Sequence, residues 1–156
     1  MKKFIFAIDP GNEKSAFLIW DHKQQNIKNK DIINNQELLE LLELLPEKEE
    51  YYLIIEMVAC YGMPVGKEIF DTVLWIGQFK QSWGKQQVVL VYRKDIKIHH
   101  CNSMKAKDSN IRQALIDRFG DPGVKKMPGL LYGVSKDIWS ALAIAVYYSD
   151  LINKIE

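Results

Sequence analysis

The chain has 156 residues, 47% of them hydrophobic, with 21 Lys and Arg against 20 Asp and Glu and only two cysteines. That length suits one domain, residues 1–156, with its own core, and two cysteines exclude a disulfide-dense secreted scaffold. No apolar run approaches the roughly 20 residues of a membrane span, and the opening MKKFIFAIDPG turns polar too soon for a leader, so a cytoplasmic protein with no membrane partner is expected.

Phe4 to Ile8 reads as a buried strand that leaves through Asp9-Pro10-Gly11, and Ser15 to Trp20 reads as a second strand beyond the loop Asn12-Glu13-Lys14. Asp-Pro-Gly is turn chemistry, because Pro fixes φ and Gly accepts positive φ. A carboxylate at the exit of a buried strand is equally a place for a cation, and both readings stand at this point. Ile27 to Ile33 supplies a third, weaker strand and completes an antiparallel meander. Asn34 or Asn35 caps a helix through QELLELLELL, with Leu38, Leu41, Leu42 and Leu45 on one stripe, until Pro46 stops it. Tyr51 to Glu56, YYLIIE, is the next strand, and it too ends on a carboxylate.

After the Gly62-Met63-Pro64 turn, Val65 to Trp83 forms a long helix with Ile69, Val73 and Ile76 at helical spacing, and Gln87 to Tyr92 is a β-branched, central-type strand. Asp108 to Phe119 is a helix closed by Gly120, Asp121 to Gly133 is a loop rich in proline and glycine, and Ser135 to Ile152 is the last helix. Its ALAIAV run is apolar nearly all round and is expected against a sheet face. Three early strands followed by helix and strand alternation give an α/β domain, one mixed sheet with helices on its faces.

Charge is unevenly spread. Asp31 to Glu56 holds eight acids and one base, whereas Arg93 to Lys136 holds ten bases and four acids. A polyanion meeting one side of the fold accounts for this, and so does an ordinary solvated surface. Lys105, Lys107 and Arg112 flank the entrance of a predicted helix, where cations and free backbone N–H groups can both meet phosphate.

Asp9 and Glu56 terminate strands that are expected to be neighbours, and ligands in open α/β sheets sit beyond such strand ends. Two carboxylates there repel unless a cation lies between them. Magnesium suits that place better than zinc, since no His or Cys joins the cluster; His99 and His100 are adjacent and on a strand would face opposite ways. Asp137, near the start of the last helix with Ser135 as its expected cap, is a third candidate acid, although the helix dipole alone stabilises an anion there.

The segments IDPG at 8–11, LIIE at 53–56, YGMPVGKEIFDTVLWIGQF at 61–79, MKAKDSNIRQAL at 104–115 and KDIWSALAIAV at 136–146 resemble, in order, the RuvC family of Holliday-junction resolvases, especially its phage-encoded branch within the RNase H-like superfamily. The resemblance implies an RNase H-like five-stranded sheet, its first three strands antiparallel, and a site of acidic residues binding Mg2+ or Mn2+. It implies a crossover junction endonuclease that resolves four-way DNA junctions by paired nicks, leaving 5′-phosphate and 3′-hydroxyl ends, and works as a two-fold homodimer. Carried onto matching positions, Asp9, Glu56 and Asp137 are the catalytic, metal-binding acids. The bacterial pattern has a further acid one turn after Asp137, where this chain has Ser140; Asp108 is the nearest replacement ligand, and a helix N-cap is its other reading. The bacterial family also has an aromatic three residues after the glutamate, where this chain has Ala59. Tyr61 and Met63 are candidates to stack on or wedge into opened DNA, or else to pack in the core. The dimer is expected through the 65–83 helix, at Phe70, Leu74 and Trp75, which packing on the protomer's own sheet explains equally well.

Two other readings use the same opening. Sugar kinases and actin-like ATPases place an Asp-x-Gly turn after their first strand, but pair two such halves, for which 156 residues are too few. A degenerate relative that binds branched DNA without cutting it is kept open by Ser140.

Overall fold

The computed structural model describes residues 1–155. Strands β1 (Phe4–Asp9), β2 (Lys14–Asp21) and β3 (Asn26–Asn34) form the antiparallel meander, and β4 (Tyr51–Glu56) and β5 (Val88–Val91) add to it in parallel, giving the five-stranded order β3-β2-β1-β4-β5. This is the mixed α/β sheet anticipated, with the central strand contributed by the first segment of the chain. Central β1 and β4 are apolar without interruption because both their faces are covered, while edge strand β3 carries Lys28, Asn29, Lys30 and Asp31.

Side-chain alternation along the strands divides the core in two. Ile5, Ala7, Leu18 and Ile54 face the side covered by α5 (Ile138–Ile155), whose Ala141 to Val146 are fully buried. Phe6, Ile8, Leu53 and Ile55 face the other side, against α1 (Asn35–Leu44) and α2 (Lys67–Ser82). The Asn34 side chain caps α1 by accepting from the Gln36 N–H, and Asn35 is the first helical residue.

Four features depart from expectation. Helix α2 begins two residues late, after Gly66, and its buried side is Thr72, Ile76 and Phe79 with Trp83 beyond; of the anticipated Ile69, Val73, Ile76 stripe only Ile76 is buried. Residues Arg93–Cys101 form an unanticipated helix α3, ahead of α4 (Asp108–Phe119). Its sequence RKDIKIHHC buries only Ile96, so no apolar periodicity announces it. The histidines therefore lie on a helix and not on a strand: His99 Nε2 bonds Asp150 at 2.7 Å and His100 Nε2 the Ala143 carbonyl at 2.9 Å. The Asp121 to Gly133 loop contains a short hairpin, β6 (Gly123–Val124) with β7 (Met127–Pro128). Helix α5 starts later than expected because Lys136 takes a left-handed φ of 48° and breaks the turn begun at Ser135. The Ser135 carbonyl accepts the N–H of Ile138, the first helical residue, the Lys136 carbonyl that of Trp139, and the Asp137 carbonyl those of Ser140 and Ala141. Cys60 is exposed and Cys101 half-buried, both free. No helix among the described residues is long and apolar enough to cross a membrane.

Candidate active site

The sheet's register brings two acids to one edge. Ile8 pairs with Ile55 across parallel β1 and β4, so Asp9 and Glu56 leave the same end of adjacent strands. Alternation settles their direction: Asp9 follows Ile5 and Ala7, Glu56 follows Tyr52 and Ile54, and both sets face the α5 side. Asp137 stands at the start of α5 on that side, and Asp108 at the start of α4.

Their electrostatics are coupled. Burial first, then Glu56 and Asp137, with a smaller contribution from Asp108, push the Asp9 carboxyl from its ordinary 3.8 up to about 8, against the opposing pull of Arg93. Among the described residues no hydrogen bond to the Asp9 carboxylate relieves this. Burial also raises Glu56 above the usual carboxylate range, outweighing the attraction of Arg93. Glu56 Oε1 is buried without a hydrogen-bond partner.

Beside this pair is a cavity of about 220 Å³ lined by Arg93, Asp108, Arg112, Lys136, Asp137 and Ser140, with Ile111 and Trp139 as its apolar wall; Asp9 and Glu56 are not among its lining residues. Asp108 is not the α4 cap: Lys107 holds that position, and the Asp108 carboxylate instead forms an ion pair with Arg93. Arg93 also approaches Glu56, Nη1 to Oε1 at 3.6 Å. Burial opposes the guanidinium's charge, but Glu56 and Asp108 together raise its pKa further. Sequence reasoning passed over this residue. The signal lay in the pairing of β4 with β5: Val91 is opposite Glu56, so whatever begins the next element flanks that carboxylate.

Of the proposed DNA contacts, Arg112 lines the cavity and stacks its guanidinium over Trp139 at 5.4 Å, while Lys105 and Lys107 are exposed on the approach to α4. Tyr61 and Met63 are 68% and 71% exposed, which removes the core-packing explanation for both. Tyr61 lies instead beside a second hollow with Arg93, Lys94, Lys97 and Met104.

Two solved structures of Thermus thermophilus RuvC match this architecture nearly end to end. One covers 95% of this chain and 96% of its own at a TM-score of 0.64 and 14% identity. The other, described as in complex with Holliday junction substrate, covers 97% and 96% at a TM-score of 0.65 and 12% identity. The chain has the RuvC fold. No protein-family model matches the sequence, and no curated protein matches it.

The donor set fits a hard divalent cation in chemistry. Carboxylate oxygens are what magnesium and manganese prefer, and an orphaned buried oxygen on Glu56 beside an Asp9 carboxyl raised to about 8 is an arrangement that an added positive charge relieves. As the side chains stand, no group of three or more His, Cys, Asp and Glu among the described residues is drawn tightly enough to enclose one ion. Among the described residues, the cation in ion-pair contact with Glu56 is the chain's own Arg93, which also pairs with Asp108.

Proposed function

We propose that this chain is a metal-dependent, structure-specific endonuclease that resolves Holliday junctions or related branched DNA by paired nicking, leaving 5′-phosphate and 3′-hydroxyl ends. The observation that carries the reading is the Asp9–Glu56 pair at the matching ends of β1 and β4, with the Asp9 carboxyl raised to about 8 by burial and by Glu56 and Asp137. A buried carboxyl destabilised by neighbouring acids, beside a cavity that Asp137 lines, suits a cation site for phosphodiester hydrolysis. The fold shared with a RuvC found in complex with Holliday junction substrate supports the choice of substrate. Asp9, Glu56 and Asp137 would hold Mg2+ or Mn2+, with Asp108 as an outer candidate. Such an ion, when bound, supplies a water of lowered pKa and charge stabilisation at the leaving oxygen. Arg112, Lys105 and Lys107 would take DNA phosphates, with Tyr61 and Met63 at an opened base step. The phage-type assignment rests on the sequence segments quoted above. Incubating the protein with a labelled four-way junction and Mg2+ or Mn2+ should give symmetric nicks; intact junctions at every metal concentration would remove the enzyme reading.

Ser140 favours a second reading, a branched-DNA binder that has lost cutting, because it lines the cavity where a further carboxylate would complete the donor set. Ser140→Asp separates the two. For an active nuclease it should tighten Mg2+ binding about tenfold, the worth of roughly 1.4 kcal/mol. If the natural chain binds junctions but does not nick, and Ser140→Asp nicks, the second reading holds.

Two cuts across a symmetric junction imply a two-fold dimer. Helix α2 offers its surface: Phe70 and Leu74 are 61% and 65% exposed, on the side away from Thr72, Ile76 and Phe79. Trp75, by contrast, packs partly into the protomer's own core and stacks on Phe79 at 5.9 Å. Leu74→Glu should convert a dimer to a monomer in light scattering without lowering Tm, since this side chain supports no internal packing.

A further inference from the structure

Arg93 has surroundings that a structural ion pair does not require. It opens α3 directly after β5, and its side chain is 25% exposed between Glu56, 17% exposed, and Asp108, 81% exposed at the rim. Toward Asp108 it makes a hydrogen-bonded ion pair. Toward Glu56 it does not: Nη1 stops 3.6 Å from Oε1, and both atoms are buried without any hydrogen-bond partner among the described residues. That contact is an ion pair, longer than a normal hydrogen bond. A buried pair with an orphaned atom on each side is an unsatisfied arrangement, and each partner gains from any ligand that completes it.

A divalent ion completes the Glu56 side. An ion held by the Glu56 carboxylate would stand against the guanidinium between atoms buried from water, where like charges repel strongly. Ion and guanidinium therefore compete for that carboxylate. The guanidinium has a second place to go, because Arg93 also lines the neighbouring hollow of about 210 Å³ with Tyr61, Lys94, Lys97 and Met104. That hollow has three cationic side chains and no acid, which suits a phosphate, and a planar guanidinium suits two of its oxygens at once.

Resting on the nuclease reading above, we propose that Arg93 is a resident counter-cation of the acidic crevice, that a divalent ion displaces it from Glu56, and that the displaced guanidinium then binds a phosphate of the DNA substrate. The crevice is thereby kept partly neutral until metal arrives, and loading it turns a positive group toward the DNA. Arg93 acts on the metal site through Glu56, as a positioning residue.

The test is Mn2+ binding by calorimetry without DNA, on the natural chain, Arg93→Gln, Arg93→Lys and Asp9→Asn. Removing the competitor should tighten Mn2+ binding about tenfold in Arg93→Gln, with Arg93→Lys between the two. Junction binding measured in Ca2+, with uncut product verified on gels, should weaken about tenfold in Arg93→Gln and lose about one unit of salt slope. Equal or weaker Mn2+ affinity in Arg93→Gln of unchanged Tm overturns displacement, and unchanged junction affinity overturns the phosphate contact. Should Arg93→Gln fail to fold, Arg93→Lys decides alone, since equal Mn2+ affinity there overturns the proposal. Mn2+ binding that ignores Asp9→Asn sinks the nuclease reading itself, whereas Asp9-dependent binding that ignores Arg93 sinks only the counter-cation.

Discussion

Asp9→Asn is expected to lower junction nicking about a thousandfold, the several kcal/mol that a correctly held ion contributes at a phosphoryl centre, while junction binding persists. The amide fills the same space at the end of β1 but removes the charge that draws in a cation. It also relieves a native liability. Without metal, the Asp9 carboxyl sits at about 8 in the folded chain against an ordinary 3.8, raised by burial, Glu56 and Asp137. The folded state therefore holds a proton that the unfolded state has released between pH about 4 and about 8. Since stability rises with pH only where the unfolded state binds more protons, it falls across this window, and the contribution is lost above the folded pKa. At about 1.4 kcal/mol per unit, the loss reaches at most roughly 5 kcal/mol by pH 8. Metal-free Asp9→Asn should therefore be more stable than the natural chain at pH 8, with Tm several degrees higher, and the gap should close by pH 4. Mn2+ should raise the Tm of the natural chain and leave the variant's unchanged. A variant that nicks at full rate, or whose Tm tracks the natural chain at every pH, would remove Asp9 from the site.

How far these features could be read in advance depended on whether packing left a pattern in the residues. Ile5 to Ile8, Leu53 to Ile55 and the ALAIAV run are buried on every side, so hydrophobicity alone marked them. The direction of Asp9 and Glu56 was also available, because each lies an even number of residues from a side chain on the α5 side. Helix α3 left no such pattern. It covers little core and is held at its polar residues, through His99 to Asp150 and His100 to the Ala143 carbonyl, contacts that join segments more than 40 positions apart. Arg93 was missed for the same reason: its meaning comes from Val91 pairing with Glu56, which no local window contains. Helix α2 misled in phase. Ile69, Val73 and Ile76 share a helical face with Phe79 and Thr72 nearby, and only docking against α1 and the sheet selects which part of that broad stripe is buried.

The Asp-Pro-Gly turn, first legible as turn chemistry, leads to the other large effect. Gly11→Ala is expected to destabilise the chain by about 2–4 kcal/mol and to cut nicking more than tenfold in whatever remains folded. A methyl group at Gly11 would lie 2.2 Å from the Lys14 carbonyl oxygen, and a backbone atom cannot swing aside as a flexible side chain would. The turn is also closed by a buried ring of hydrogen bonds. Gly11 N–H donates to Ser15 Oγ at 3.1 Å, the Ser15 hydroxyl donates to Asn35 Oδ1 at 2.6 Å, and Asn35 Nδ2 donates back to the Gly11 carbonyl at 2.9 Å. Ser15 and Asn35 are 2% and 1% exposed, so opening the ring leaves polar groups without water to replace their partners. Asp9 lies two residues away, and the same ring fixes where β1 ends and where its carboxylate points. Gly77→Ala supplies the contrast. It sits inside α2 with nothing within 4 Å of an added methyl, so the substitution should stabilise the chain by about 0.5–1 kcal/mol through the helix preference for alanine. Urea midpoints measured on both variants should move in opposite directions. A Gly11→Ala chain as stable as the natural one would mean that the turn opens at no cost, and that Asp9 is not held in place by it.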